Sequence, residues 1–503
     1  MSVQTTKSAT PLEWDDMQGL LRFGFKHLTQ ASFLLLRVKD CDAARAWLAG
    51  ASITSAVTAM PPPTALQIAL TSEGLRALGV ESDIIGTFSN EYIAGMSSDP
   101  SRARRLGDVA ASDPSHWTWG ATGHVPHVLL MLYATPETLE GFQQCIQAQF
   151  GVGFEELVCL KTSATGSKEH FGFEDGISQP ELDWYRERPV CDQVQYAYTN
   201  LSCLGEFLLG YPNEYGGYTD RPLLDPQRNG AAILPRAEET PDKADLGRNG
   251  SYLVMRQLSQ DVHGFWRYLD QQAGGDATLR MRLAASMMGR TLDGEPLVGR
   301  TNEVISGNSS KSEVDLNAFT YQADPQGLRC PLGAHIRRSN PRNADLPPGG
   351  PGVVSRLIRT LGFDAAALEN DRVASTRFHR LLRRGRKYGS QVTPEQVLNG
   401  APANEDSGLH FICLGANIAR QFEFVQSAWI AGTTFDGLRG EGDPLLGHRQ
   451  PGLDGTRTDV YSIPDYNGPD RRLTALPSLV TVRGGAYFFL PGIRALRYLA
   501  TAR

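Results

Sequence analysis

Short apolar runs punctuate the chain at intervals that suit alternating strands and helices. Residues 31–38 (ASFLLLRV), 64–71 (TALQIALT), 127–135 (HVLLMLYAT) and 154–160 (FEELVCL) are compact and bounded by polar or turn residues, the pattern of buried strands. Between them, residues 42–50 open on Asp42, a residue suited to cap a helix, and end on Gly50. Ser72 opens a short helix ending near Gly79. Residues 136–149 form a helix with Pro136 at its start, where a missing N–H costs least. Strand, helix, strand, then strand, helix, strand is the split βαβ order of a ferredoxin-like domain, and the fold class it predicts is α+β.

The second half reads the same way with long insertions. Strands are expected at 205–211, 251–258, 409–415 and 487–490, and helices at 261–273, 279–289, 418–429 and 492–499. In the third of these helices Ile418, Phe422, Val425 and Trp429 fall on one face. Polar, Gly/Pro-rich stretches at 221–249, 339–354 and 432–477 predict surface loops or insertions. No repeat of fixed short period is present.

Composition narrows the function classes. A chain of 503 residues can bury a substantial core, and a net charge of −6 speaks against a nucleic-acid or anionic-membrane partner. No apolar run approaches the ~20 residues needed to span a bilayer. The first twenty residues show no secretory or twin-arginine pattern, so a soluble, cytoplasmic protein is expected. The seven cysteines are scattered without a CxxC pair, which points to reduced thiols rather than a disulfide framework or a structural zinc. GxSxG, HExxH, Walker and GxGxxG signatures are absent.

Three clusters could carry chemistry. HFGFEDGISQP at 170–180 brackets Asp175 with Gly172 and Gly176, beside Phe173, so that backbone can approach a flat ligand and a carboxylate can be projected from a tight turn. It reads equally as a turn whose Asp caps a helix. CPLGAHIRRSNPR at 330–342 sets His335 among small apolar residues, where an imidazole can bind a metal through one nitrogen. Arg337 and Arg342 nearby suit an anionic cofactor bearing carboxylates. A core histidine with solubilising arginines gives the same pattern. RFHRLLRRGRKYG at 377–389 carries six basic residues besides His379, the pattern of a solvated basic helix face about four turns long at ~3.6 residues per turn.

Together and in this order, the clusters resemble the dye-decolourising peroxidases. GFEDG at 172–176 is similar to the family's GxxDG signature, the His335 segment to its proximal-histidine segment, and HRLLRRGRKYG at 379–389 to its distal-arginine segment. LGEFLLGYPNEYGG at 204–217, QFEFVQ at 421–426 and VTVRGGAYFFLP at 480–491 extend the likeness over most of the chain. The resemblance implies two ferredoxin-like domains with a dimeric α+β barrel-like architecture. Residues 1–200 would carry the distal loop and residues 201–503 would bind one haem b per chain. His335 would be the iron ligand, Asp175 the acid–base and Arg383 its partner. Gly172, Phe173, Gly176, Arg337 and Arg342 would contact the cofactor. Hydrogen peroxide and organic reductants such as dyes and phenols would be the substrates, with neither nucleic acid nor membrane as partner. The family often assembles, so a homo-oligomer is compatible with the resemblance.

The chain departs from that pattern in places. Lys387 stands before Tyr388 where relatives often have proline, and Gly385 stands where one branch has asparagine. Asn417 occupies a position that is acidic in many relatives, which leaves the partner of His335 open. The insertion between His335 and Arg383 suits the long forms. An aspartate base, ordinarily ~3.9 against ~6.5 for histidine, predicts an acidic optimum with dyes. A haem carrier or sensor, another haem reaction on a related fold, and a ferredoxin-like binding module without haem are the competing readings.

Overall fold

Nine strands make one antiparallel sheet in the computed structural model, which describes residues 11–57, 63–163, 166–186, 200–299, 316–342, 375–402, 406–452 and 455–501. The first half contributes β1 (Gln30–Val38), β2 (Thr64–Leu70), β3 (Val128–Ala134) and β4 (Phe154–Lys161), ordered β4–β1–β3–β2. Helices α1 (Cys41–Gly50) and α2 (Pro136–Phe150) supply the crossovers. The second half contributes β5 (Ser251–Gln260), β6 (Leu382–Arg383), β7 (Arg386–Tyr388), β8 (Gly408–Gly415) and β9 (Val480–Leu490). Here β6 and β7 both pair with β8, followed by β5 and β9. With β6 and β7 taken as one interrupted edge strand, both halves have the order last, first, third, second, which is the ferredoxin-like arrangement. The halves meet at one register pair, Phe489 with Leu70.

Both faces of the sheet are covered, so its strands read as unbroken apolar runs. Successive residues enter different cores: Leu34, Leu36, Ile68, Leu130 and Val254 pack on one face, and Phe33, Leu35, Ala69, Met131 and Met255 on the other. In the second half, α3 (Val262–Ala273) is capped by Asp261 and stopped by Gly274, and α4 (Ala277–Met288) is capped by Asp276 and stopped by Gly289. α5 (His335–Ser339) follows, and α6 (Ile493–Thr501) packs against α1. No helix among the described residues is long and apolar enough to cross a membrane.

Four local expectations change. The cap of α1 is Asp40, which accepts from Ala43 N at 2.8 Å, while Asp42 lies inside the first turn. Residues 205–211 form no strand. They lie in a buried stretch that starts as a 3₁₀ turn at Leu204–Glu206 and folds back on itself, Gly205 N donating to Pro212 O at 3.0 Å. The basic run is not a helix, since it supplies the edge strands β6 and β7, whose pairing to β8 overrides local helix propensity. Residues 418–429 are helical, but Ala419–Glu423 and Val425–Ala431 are wound as wider π turns. Ile418, Phe422 and Val425 are buried as the ordinary period demands. Beyond them the wider winding buries Ile430 and leaves Trp429 half-buried.

Candidate active site

A cavity of about 370 Å³ lies against the second half of the sheet. Its floor is made by alternate residues of three neighbouring strands: Arg256, Leu258 and Gln260 of β5, Leu409 and Phe411 of β8, and Val480 and Val482 of β9. Phe171, Phe173, Phe422 and Trp429 add aromatic walls. The first half reaches in through Leu106–Ser112, held there by the buried Asp108–Arg256 ion pair and by Gln426 Nε2 donating to Leu106 O at 2.9 Å.

His335 lines the cavity as the first residue of α5. Its Nδ1 is 2.9 Å from Asp443 Oδ2, which commits that nitrogen and leaves Nε2 for a ligand. Asp443 is fully buried, and its other oxygen accepts from Leu445 N at 2.9 Å and Leu446 N at 2.8 Å. Burial works against charge on both partners, yet each draws the other toward its ionised form: the imidazole is raised and the carboxyl lowered. Arg338 braces the pair. Its buried guanidinium donates to Trp429 O at 2.6 Å and to Glu441 O at 3.2 Å, tying α5 to the π-wound segment and to the loop that delivers Asp443.

Asp175 and Arg383 face the same cavity from a loop and from β6. Arg383 Nη1 donates to Asp175 Oδ1 at 3.2 Å, and the same oxygen accepts from Gly176 N at 2.6 Å. Arg383 Nη2 reaches Ser178 O at 3.3 Å, and its backbone N–H donates to Gln179 Oε1 at 3.0 Å. The two side chains keep 33% and 39% exposure, so a small molecule in the cavity can reach both. The loop folds this way because Gly172 and Gly176 adopt φ of +101° and +79°. Half-buried Glu169 accepts from Phe171 N and Phe173 N, each at 2.9 Å.

The other residues singled out by the sequence divide. Phe173, Gly176 and Arg342 line the cavity, whereas Gly172 shapes the loop from behind. Arg337 turns away: its buried guanidinium donates to Asp324 O at 2.9 Å and Cys330 O at 3.0 Å, and lies over the Tyr321 ring. Arg342 donates to Asn317 O and Phe319 O at 2.8 and 2.9 Å while staying at the wall. Arg290 was not foreseen. It lines the cavity together with Arg342 and Arg383, and burial, with those two arginines adding to it, pushes its pKa down to about 10. Asp443 was also missed, since an Asp before Pro444 in a loop carries no spacing signal toward His335. The two-residue alternation that aims Leu258, Leu409, Phe411, Val480 and Val482 at one place was readable in principle, but only once strand order was known.

Comparison with known proteins follows from this geometry. No family model matches the chain. It is 26% identical to the dye-decolorizing peroxidase msp1 of Mycetinis scorodonius, over 98% of this chain and 88% of that protein. It is 29% identical to the multifunctional dye peroxidase DyP2 of an Amycolatopsis strain, over 86% and 82% respectively. Among solved structures, that of an ancestral D-type dye decolorizing peroxidase superposes with a TM-score of 0.69 at 25% identity, covering 97% of this chain and 99% of the other.

Proposed function

The chain belongs to the dye-decolorizing peroxidase family, and on that premise we propose that it is a haem-dependent peroxidase, reducing hydrogen peroxide to water while oxidising dyes, phenols or other organic donors. The observation that carries this reading is the Asp175–Arg383 pair facing the cavity that His335 also lines.

The residues fit the cofactor. Among the described residues no group of three or more His, Cys, Asp or Glu side chains is placed to hold a bare metal ion. What His335 offers is one nitrogen beside largely apolar walls, which suits a metal that brings its own macrocycle. Arg290 and Arg342 supply buried positive charge for that macrocycle's carboxylates. We assign haem b, one per chain, whose iron His335 would hold. We also divide the chain near residue 200, the loop carrying Asp175 belonging to the first part and His335 to the second. The described cysteines are free thiols, which supports a reducing, cytoplasmic setting.

Bound haem supplies the iron that accepts peroxide and stores oxidising equivalents. Asp175 takes a proton from one oxygen of hydrogen peroxide and returns it to the other, which departs as water. Arg383 stabilises the negative charge developing on the departing oxygen, and its bond to Oδ1 keeps the carboxylate aimed into the cavity. Two electrons from organic donors and two protons complete the reduction to two waters. Leu258, Leu409 and Phe411 keep bulk water from the reacting atoms.

The test is stopped-flow absorbance of the haem-loaded chain mixed with hydrogen peroxide. Asp175→Ala and Arg383→Ala should slow the first spectral change by roughly 10²–10⁴-fold. His335→Ala should fail to retain haem. A haem-bound protein whose spectrum ignores peroxide would instead be a carrier or sensor.

A further inference from the structure

Lys387 lies beside the distal loop. It lies on β7, in the edge segment that also carries Arg383 on β6, both paired to β8. Its side chain is half-buried and runs to residues 166–168, where Nζ donates to Gly166 O at 2.8 Å and also to Lys168 O. This short segment is itself the partner of the Asp175 loop. Asp175 N donates to Ser167 O at 3.0 Å, and Lys168 bridges to Glu174. The backbone closes the connection, since Ser163 N donates to Lys387 O at 2.9 Å.

We propose that Lys387 is a positioning residue for the distal pair: its ammonium fastens the segment that aligns Asp175 to the strand that presents Arg383. The inference rests on the peroxidase reading above and extends it. Burial draws Lys387 toward its neutral form, while Glu169, Asp175 and Glu174 hold it charged. Arg383 is hydrogen-bonded to Asp175 at 3.2 Å, Glu174 precedes it in the chain, and Lys387 fastens the segment beside it. Lys168 is engaged by Asp293 at 2.9 Å. Removing one cation from this set eases protonation of the carboxylates that remain.

The experiment compares haem-loaded wild type, Lys387→Met, Lys387→Arg and Asp175→Ala. It reads the rate of the peroxide reaction and the rate of cyanide binding, each across pH. Lys387→Met should slow both by roughly tenfold, less than the ~10²–10⁴-fold of losing the acid–base itself. It should also move the acid limb to higher pH, and Lys387→Arg should restore both. A merely structural lysine would lower Tm in the Met variant and leave the acid limb and the cyanide rate where they were, which overturns the proposal. Wild-type behaviour of Lys387→Met beside a crippled Asp175→Ala overturns it too, leaving the peroxidase assignment intact. Wild-type behaviour of Asp175→Ala would instead remove the assignment of the distal base.

Discussion

Asp443 Oδ2 lies 2.9 Å from His335 Nδ1 across 108 positions of sequence. The carboxylate is fixed before the imidazole meets it, because two backbone N–H groups already hold its other oxygen. Asp443→Asn keeps the shape and removes the charge. Haem should then leave roughly 10–100-fold faster, by analogy with other partners of metal-bound histidine. The rate of haem transfer to excess apo-globin measures this, and an unchanged rate would deny Asp443 its role.

Gly289 allows α4 and α5 to approach. It ends α4 at φ +93°, and a Cβ there would stand 2.5 Å from Ile336 Cγ1, next to His335. Gly289→Ala should cost roughly 1–3 kcal/mol from overpacking. Thermal unfolding should show a lowered Tm, and the Soret band a weakened occupancy. A variant as stable as wild type would mean that Ile336 has room to move.

Glu206 makes stability pH-dependent. Burial pushes its carboxyl up to about 7, with Glu214 adding to the rise and Arg420 and the Glu214 N–H opposing it. The folded value lies above the unfolded one. The folded state therefore holds its proton longer, and stability is greatest below the unfolded value near ~4.5. It falls as pH rises toward 7, on the order of 2–3 kcal/mol. Urea midpoints of wild type and Glu206→Gln, compared from about pH 5 to about pH 8, should show wild type losing ground across that window. Parallel curves would show that Glu206 does not titrate there.

The glycine at 385 is not an open slot for a larger residue such as asparagine. A Cβ at this position would come 2.8 Å from His410 O, a backbone atom of β8. Gly385→Asn should lower Tm by about 1–3 °C, following a cost of about 1–3 kcal/mol, without a faster peroxide reaction. Recovery of full stability would show that the edge strand can shift.

Where the chain's own periodicity decides structure, the sequence was readable. The strands at 30–38, 64–70, 128–134 and 251–260 announce themselves because both faces are buried. The run at 377–389 misled, because its two-residue alternation is broken by Gly385 and its extended form comes only from pairing with β8. At the site, Asp175, His335 and Arg383 were legible because a local motif surrounds each. Arg337 and Arg342 share one motif and yet part company: Arg337 closes on Asp324, whereas Arg342 stays at the wall. Asp443, Arg290 and Arg338 act through partners from ~50 to over 100 residues away or through backbone carbonyls, and no local pattern encodes that.

The seam between the two halves of the sheet is a single rung, Phe489 with Leu70. A ladder of hydrogen bonds passes twist from strand to strand, and one rung passes little of it. The strand ladders of the two halves are thus nearly independent of each other, so the curvature of one is not imposed on the other through backbone bonding. What joins the halves across that seam is the packing of α6 on α1, where Arg497 donates to Ala51 O at 2.6 Å, together with side-chain ion pairs such as Arg256 to Asp108 at the cavity wall and Arg102 to Glu423.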